Sequence, residues 1–159
     1  MKMKKSILAL AALAFMAWGC SSSDDDQPNP PVAQSLQEGN DTRPDWLSQT
    51  PNYDLFEQTM TVDIVLQDTL QSYASATDLL CAKAGEEVRG VTLPEEVNGQ
   101  WVYSITVASN ASGEDITLYY YCDKLHRIFS TYWTSFDATL PPTGNDGIYQ
   151  PEFVTTTTD

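Results

Sequence analysis

Three observations predict an all-β fold. Short apolar runs alternate with period two along most of the chain, Gly, Pro and Asn turn signals separate them, and no amphipathic helix of convincing length intervenes. The connections are too short for helical crossovers, which disfavours a parallel α/β sheet. The expected architecture is an immunoglobulin-like β-sandwich of about seven short, mainly antiparallel strands. A small barrel stays open, because periodicity does not report closure.

Three segments organise the chain: 1–19, 20–42 and 43–159. Lys2, Lys4 and Lys5 form a positive n-region, Ser6 to Trp18 an almost wholly apolar stretch, and Ala17-Trp18-Gly19 places small residues at −3 and −1 from Cys20. That is a secretory signal, too short for a membrane span of about 20 apolar residues. Its Gly-Cys ending resembles a bacterial lipoprotein signal, which implies that Cys20 becomes the acylated first residue of the mature chain. Residues 21–42, polar, acidic and rich in Pro and Ser, read as a flexible or extended linker. Ser21 to Asp26 also resemble the surface-export signal of lipoproteins from the Bacteroides group. The location this implies is the outer membrane, lipid-anchored and facing the cell exterior.

The strands follow in order. Residues 59–67 put Met60, Val62, Ile64 and Leu66 on one face and Thr61, Asp63 and Gln67 on the other. Residues 70–76 read as either an irregular connection or a helical turn. Residues 78–84 and 88–93 form a hairpin around Gly85, with Gly90 allowing a bulge or a close backbone approach. Pro94 ends that pair, and Asn98-Gly99 signals another hairpin turn because both residues tolerate positive φ. Trp101, Tyr103, Ile105 and Val107 then alternate with Val102, Ser104, Thr106 and Ala108, the strongest strand signal in the chain. Residues 116–122 turn Ile116, Leu118, Tyr120 and Cys122 one way. Strands at 127–136 and 153–158 complete the set, with Trp46, Tyr53 and Phe56 expected to lie over the core edge.

Charge narrows the partners. The chain holds 22 acidic and 8 basic residues, a formal charge of −14. Loss of residues 1–19 removes three lysines and leaves Arg43, Lys83, Arg89, Lys124 and Arg127 against all 22 acids, a formal charge of about −17. Such a chain repels nucleic acid and anionic lipid surfaces, so membrane contact comes from the lipid. In an exported protein Cys81 and Cys122 are open to two readings, a disulfide pinning two strands or two buried thiols.

Catalytic signals are sparse. His126 is the only histidine, in a turn without an accompanying nucleophile motif, and Glu86-Glu87 and Glu95-Glu96 each point their side chains in opposite directions when extended. The chain therefore reads as non-enzymatic, with no cofactor. Weak calcium candidates are Asn110, Glu114 and Asp115, with Asn145-Asp146-Gly147 a second turn of that kind; neither has the full calcium-loop pattern. The functional opening lies in the aromatics. Trp101, Tyr119, Tyr121 and Trp133 are candidates for an exposed platform that binds sugar rings or a surface protein, unless the 43–57 segment and the C-terminal tail cover them.

Asp78-Leu-Leu-Cys-Ala-Lys-Ala-Gly-Glu-Glu-Val-Arg-Gly-Val91, with Trp101 to Val107 and Gly113 to Tyr119, resembles a β-sandwich module common in Bacteroidetes surface and secreted proteins. The resemblance covers roughly residues 43–136 and implies fold and compartment more than activity. Asp68-Thr69-Leu70 resembles the site that Bacteroides-type organisms O-glycosylate, which implies a sugar on Thr69. The expected function is binding or assembly at the cell surface, through glycan or, as the alternative, as a structural or adhesive protein-interaction module. A carboxylate-based glycan-processing enzyme stands behind both.

Overall fold

The computed structural model describes residues 36–144 and 146–156. Cys20, the leader, the Ser/Asp tract, Asn145 and residues 157–159 lie outside them. By contacts the chain divides at Val32/Ala33, and the architecture below belongs to the second unit, Ala33–Asp159.

The fold is all-β with two sheets. β1 (Gln58–Val65), β4 (Glu95–Val97), β5 (Gln100–Ser109) and β8 (Ile148–Tyr149) form one, in the order β4-β5-β1-β8. β2 (Leu79–Ala84), β3 (Glu87–Thr92), β6 (Asp115–Cys122), β7 (Arg127–Ser135) and β9 (Val154–Thr155) form the other, in the order β3-β2-β6-β7-β9. Every pairing is antiparallel except the short β1–β8 contact. The inner faces share one core. Met60, Val62, Ile64, Tyr103, Ile105 and Val107 of the four-stranded sheet meet Leu80, Ala82, Ile116, Leu118, Tyr120, Cys122 and Phe129 of the five-stranded one. These residues recur at every second position, so each strand's sequence sets its own orientation.

Two strands escaped the sequence pattern. β4 has three residues between Pro94 and Asn98, too few to alternate visibly, and all three are exposed. β8 has two, inside a Gly-containing loop. The first strand stops at Val65, because the chain turns into a one-turn helix, Asp68–Gln71, that buries Leu70. Residues 36–42, the end of the stretch read as linker, belong to the second unit and pack within it. Leu36 packs on the core, the Gly39 N–H donates to the Leu125 carbonyl at 2.7 Å, and the Ile128 N–H donates to the Asp41 carboxylate at 2.7 Å.

Gly90 realises both roles its position allows. The β2–β3 register slips between Ala82 and Lys83, leaving Arg89 as the extra residue of a bulge. A Cβ on Gly90 would overlap the Thr106 carbonyl oxygen of β5, so the edge of one sheet meets the other there through bare backbone. Gly90→Ala is therefore expected to destabilise the fold by about 1–3 kcal/mol, the usual cost of overpacking. Urea unfolding measures it, and an unchanged midpoint would show that the two strands separate freely at this point.

Candidate functional site

The most heavily bonded side chain is Asp78, fully buried at the head of β2. Its carboxylate accepts from the Tyr120 hydroxyl at 2.6 Å, the Tyr103 hydroxyl at 3.3 Å, the Asp123 N–H at 2.9 Å, and the Ser75 N–H and hydroxyl at 2.9 and 2.8 Å. Burial, with the acid beside them, pushes both tyrosine hydroxyls well above the ordinary phenol range, which keeps them donors. The cluster is closed to solvent and acts as a structural tie.

The four aromatics singled out above do not form an exposed platform. Tyr119 and Tyr121 point to the outer face of the five-stranded sheet, but that face is itself a small core of Trp46, Leu79, Cys81, Val88 and Tyr121. Trp46 lies over Tyr119 with ring centroids 6.3 Å apart, Arg43 sits 5.8 Å above the Tyr121 ring, and Tyr121 is 2% exposed. Trp133 faces the main core, 5% exposed and stacked on Tyr149 of the C-terminal stretch, and Trp101 packs half-buried against the same core. The aromatic that does reach solvent is Tyr132, whose hydroxyl donates to Asp115 at 3.0 Å.

Of the two readings left open for Cys81 and Cys122, the structure has the buried thiols. Cys81 pairs with Tyr119 in the β2–β6 ladder, and Cys122 lies an odd number of residues further on, so the two sulfurs sit on opposite faces of one sheet. Burial pushes the Cys81 thiol up to about 12, against a small opposing pull from Lys83, and raises Cys122 as well.

The calcium candidates are engaged elsewhere. Asn110 Oδ1 accepts from the Glu57 N–H at 2.8 Å, and Asp115 holds the Tyr132 hydroxyl. The two Glu114 oxygens accept from the Arg89 guanidinium and the Ser109 hydroxyl, each at 2.7 Å. Among the described residues no group of three or more His, Cys, Asp or Glu side chains comes together as a metal site. His126 is exposed in the β6–β7 turn with φ of 46°. Thr69 is exposed on the one-turn helix beside buried Leu70, so its hydroxyl is accessible.

What the structure offers instead is a groove of about 400 Å³ on the outer face of the four-stranded sheet. Val102 and Ser104 of β5 form its floor. Asp63 of β1 stands on one side; Thr92, Leu93, Glu95 and Val97 stand on the other. The register explains the grouping. Asp63 lies opposite Ser104 and Glu95 opposite Val102, so all four share a face, while Glu96 lies opposite Trp101 on the other. β5 separates the two acids by two strand spacings, roughly 10 Å across the sheet, and by a two-residue offset of roughly 7 Å along it. A tight hairpin turn, with Asn98 and Gly99 both at positive φ, holds β4 and hence Glu95 and Val97 on β5. Sequence reasoning passed over these residues. The available signal was Val102, a large apolar residue on a face of the strongest strand whose other positions are Ser104, Thr106 and the small Ala108.

Asp78→Ala orphans two buried tyrosine hydroxyls and is expected to cost at least about 2 kcal/mol in urea unfolding. A loss no greater than that of an exposed Asp→Ala control would remove the tie. Both inner thiols should resist a maleimide in the native state at pH 8 and label fully in denaturant. The folded form holds the Cys81 proton more tightly than an ordinary thiol near 9, so its contribution to stability is complete below that value and lost as pH rises toward about 12. Rapid native labelling at pH 8 would contradict that burial.

No family model, no curated protein and no solved structure matches the chain.

Proposed function

We propose that the chain is a lipid-anchored, surface-exposed module, an immunoglobulin-like β-sandwich of the Bacteroidetes kind that its sequence resembles, and that it serves binding or assembly. Cys20 is the anchor, and the outer face of the four-stranded sheet is the working surface. One observation carries this choice of face. Trp46 and its neighbours cover the outer face of the five-stranded sheet around Leu79, Cys81 and Tyr121, whereas the outer face of the four-stranded sheet holds an open groove at Asp63, Leu93, Glu95, Val97 and Val102.

Between glycan and protein as ligand, the lining of the groove supports protein, since it holds no aromatic ring and a sugar platform depends on a bare ring face. The spacing of Asp63 and Glu95 across β5 suits two ends of a ligand better than the two sides of one scissile bond. That favours a non-enzymatic role.

Two measurements test the reading. Radiolabelled fatty acid should enter the native chain but not Cys20→Ala; equal labelling would sink the anchor. A photo-crosslinking residue at position 97 of the full chain, in cells that produce it, should yield a discrete adduct that the same residue at exposed Glu86 does not. Equal adducts at both positions, or none, would sink the working face.

A further inference from the structure

The groove combines exposed apolar side chains with two carboxylates, Asp63 and Glu95, that have no side-chain partner among the described residues. Leu93 is 43% and Val97 47% exposed, and half-buried Val102 continues the apolar strip between them and the sheet. Scattered exposed apolar residues are ordinary, but three converging in a concavity of about 400 Å³ have the size and character of a ligand site.

Charge identifies what fits. The described ion pairs are Arg43–Asp123, Arg89–Glu87 and Arg89–Glu114, none involving Asp63 or Glu95. Lys83 lies over the Tyr119 ring at 5.2 Å, and Lys124 donates to the Ala74 carbonyl at 3.1 Å. No basic side chain lines the groove. We propose, resting on the working face assigned above, that this groove takes an extended peptide segment of a protein partner, one that carries lysine or arginine beside aliphatic residues. The cationic head pairs with Asp63 or Glu95, while its methylene stem and the neighbouring aliphatic side chain lie along Leu93, Val97 and Val102.

Two other occupants fit worse. No aromatic ring lines the groove, so a sugar has nothing to stack on. A second copy of this chain would bring its own large negative charge to an acidic face.

The test uses the full chain in detergent and three fluorescent hexapeptides read by polarisation: Leu-Lys-Val-Arg-Leu-Val, its charge-reversed form Leu-Glu-Val-Asp-Leu-Val, and the polar cation Ser-Lys-Ser-Arg-Ser-Ser. The first should bind tightest, more weakly as salt rises, and the second not at all. Asp63→Asn and Glu95→Gln should each weaken the first by about three- to five-fold, within the range of an exposed ion pair. Val97→Thr, the same shape with a hydroxyl, should weaken it too. Melting temperatures confirm that these surface variants fold.

Equal binding of all three peptides, or affinity indifferent to the three substitutions, overturns the proposal. A glycan ligand lost on Val97→Thr, with no peptide bound, also overturns it while keeping the groove as a site. If position 97 crosslinks in cells but no peptide binds, the peptide assignment fails alone; if neither occurs, the working face fails with it.

Discussion

The buried carboxylate of Asp78 holds the two sheets to each other and to the connections at one end. Tyr103 reaches it from the four-stranded sheet, Tyr120 from the five-stranded sheet, Ser75 from the connection before β2, and the Asp123 N–H from the β6–β7 turn. A carboxylate without donors in such a place would cost several kcal/mol, and five donors are what make the position tolerable. The same bonds locate the start of β2. With Asp78 held inside, Leu79 turns out under Trp46 and Leu80 turns into the main core. A slip of one residue would exchange those faces and strand the acid.

The middle of the five-stranded sheet, along β2, is therefore buried on both sides. Leu79, Leu80, Cys81 and Ala82 are all buried in succession, a run with no polar alternation because neither face meets water. The covering segment is fastened from both directions. Tyr53 donates to the Thr106 carbonyl at 3.1 Å, and the Arg89 guanidinium, paired with Glu87 and Glu114, lies 5.2 Å from the Phe56 ring. The face made by β1, β4 and β5 has no such covering segment over Val102 and Ser104 and carries an open concavity there.

How much of this was legible depends on the range of the interaction involved. Period-two alternation is local, so β1, β5, β6 and β7 could be read residue by residue, and the inward set Met60-Val62-Ile64 is the one observed. Whether Tyr119 and Tyr121 meet solvent is decided by Trp46, more than seventy residues away, and periodicity carries nothing about that. Even so, the unbroken apolar run at 79–82 was evidence for a two-sided strand. The cysteine question turned on parity. Once β2 and β6 are paired through Cys81 and Tyr119, Cys122 has to face the other way. The groove was hardest to see, because it assembles from four chain segments and its acids are two among 22.

Charge placement joins fold to function. Among the described cations, the fold uses four on its own structure: Arg43 over Tyr121, Lys83 over Tyr119, Arg89 between two glutamates, Lys124 on a carbonyl. Neither these four nor Arg127 lines the groove to neutralise Asp63 or Glu95 from within. In so acidic a chain the long-range field draws positively charged partners toward the whole surface without distinguishing sites. Discrimination then rests on short-range contact, where Leu93, Val97 and Val102 reward a ligand that brings apolar surface with its charge. Attraction at a distance sets how often partners arrive, and the apolar strip sets how long the right one stays.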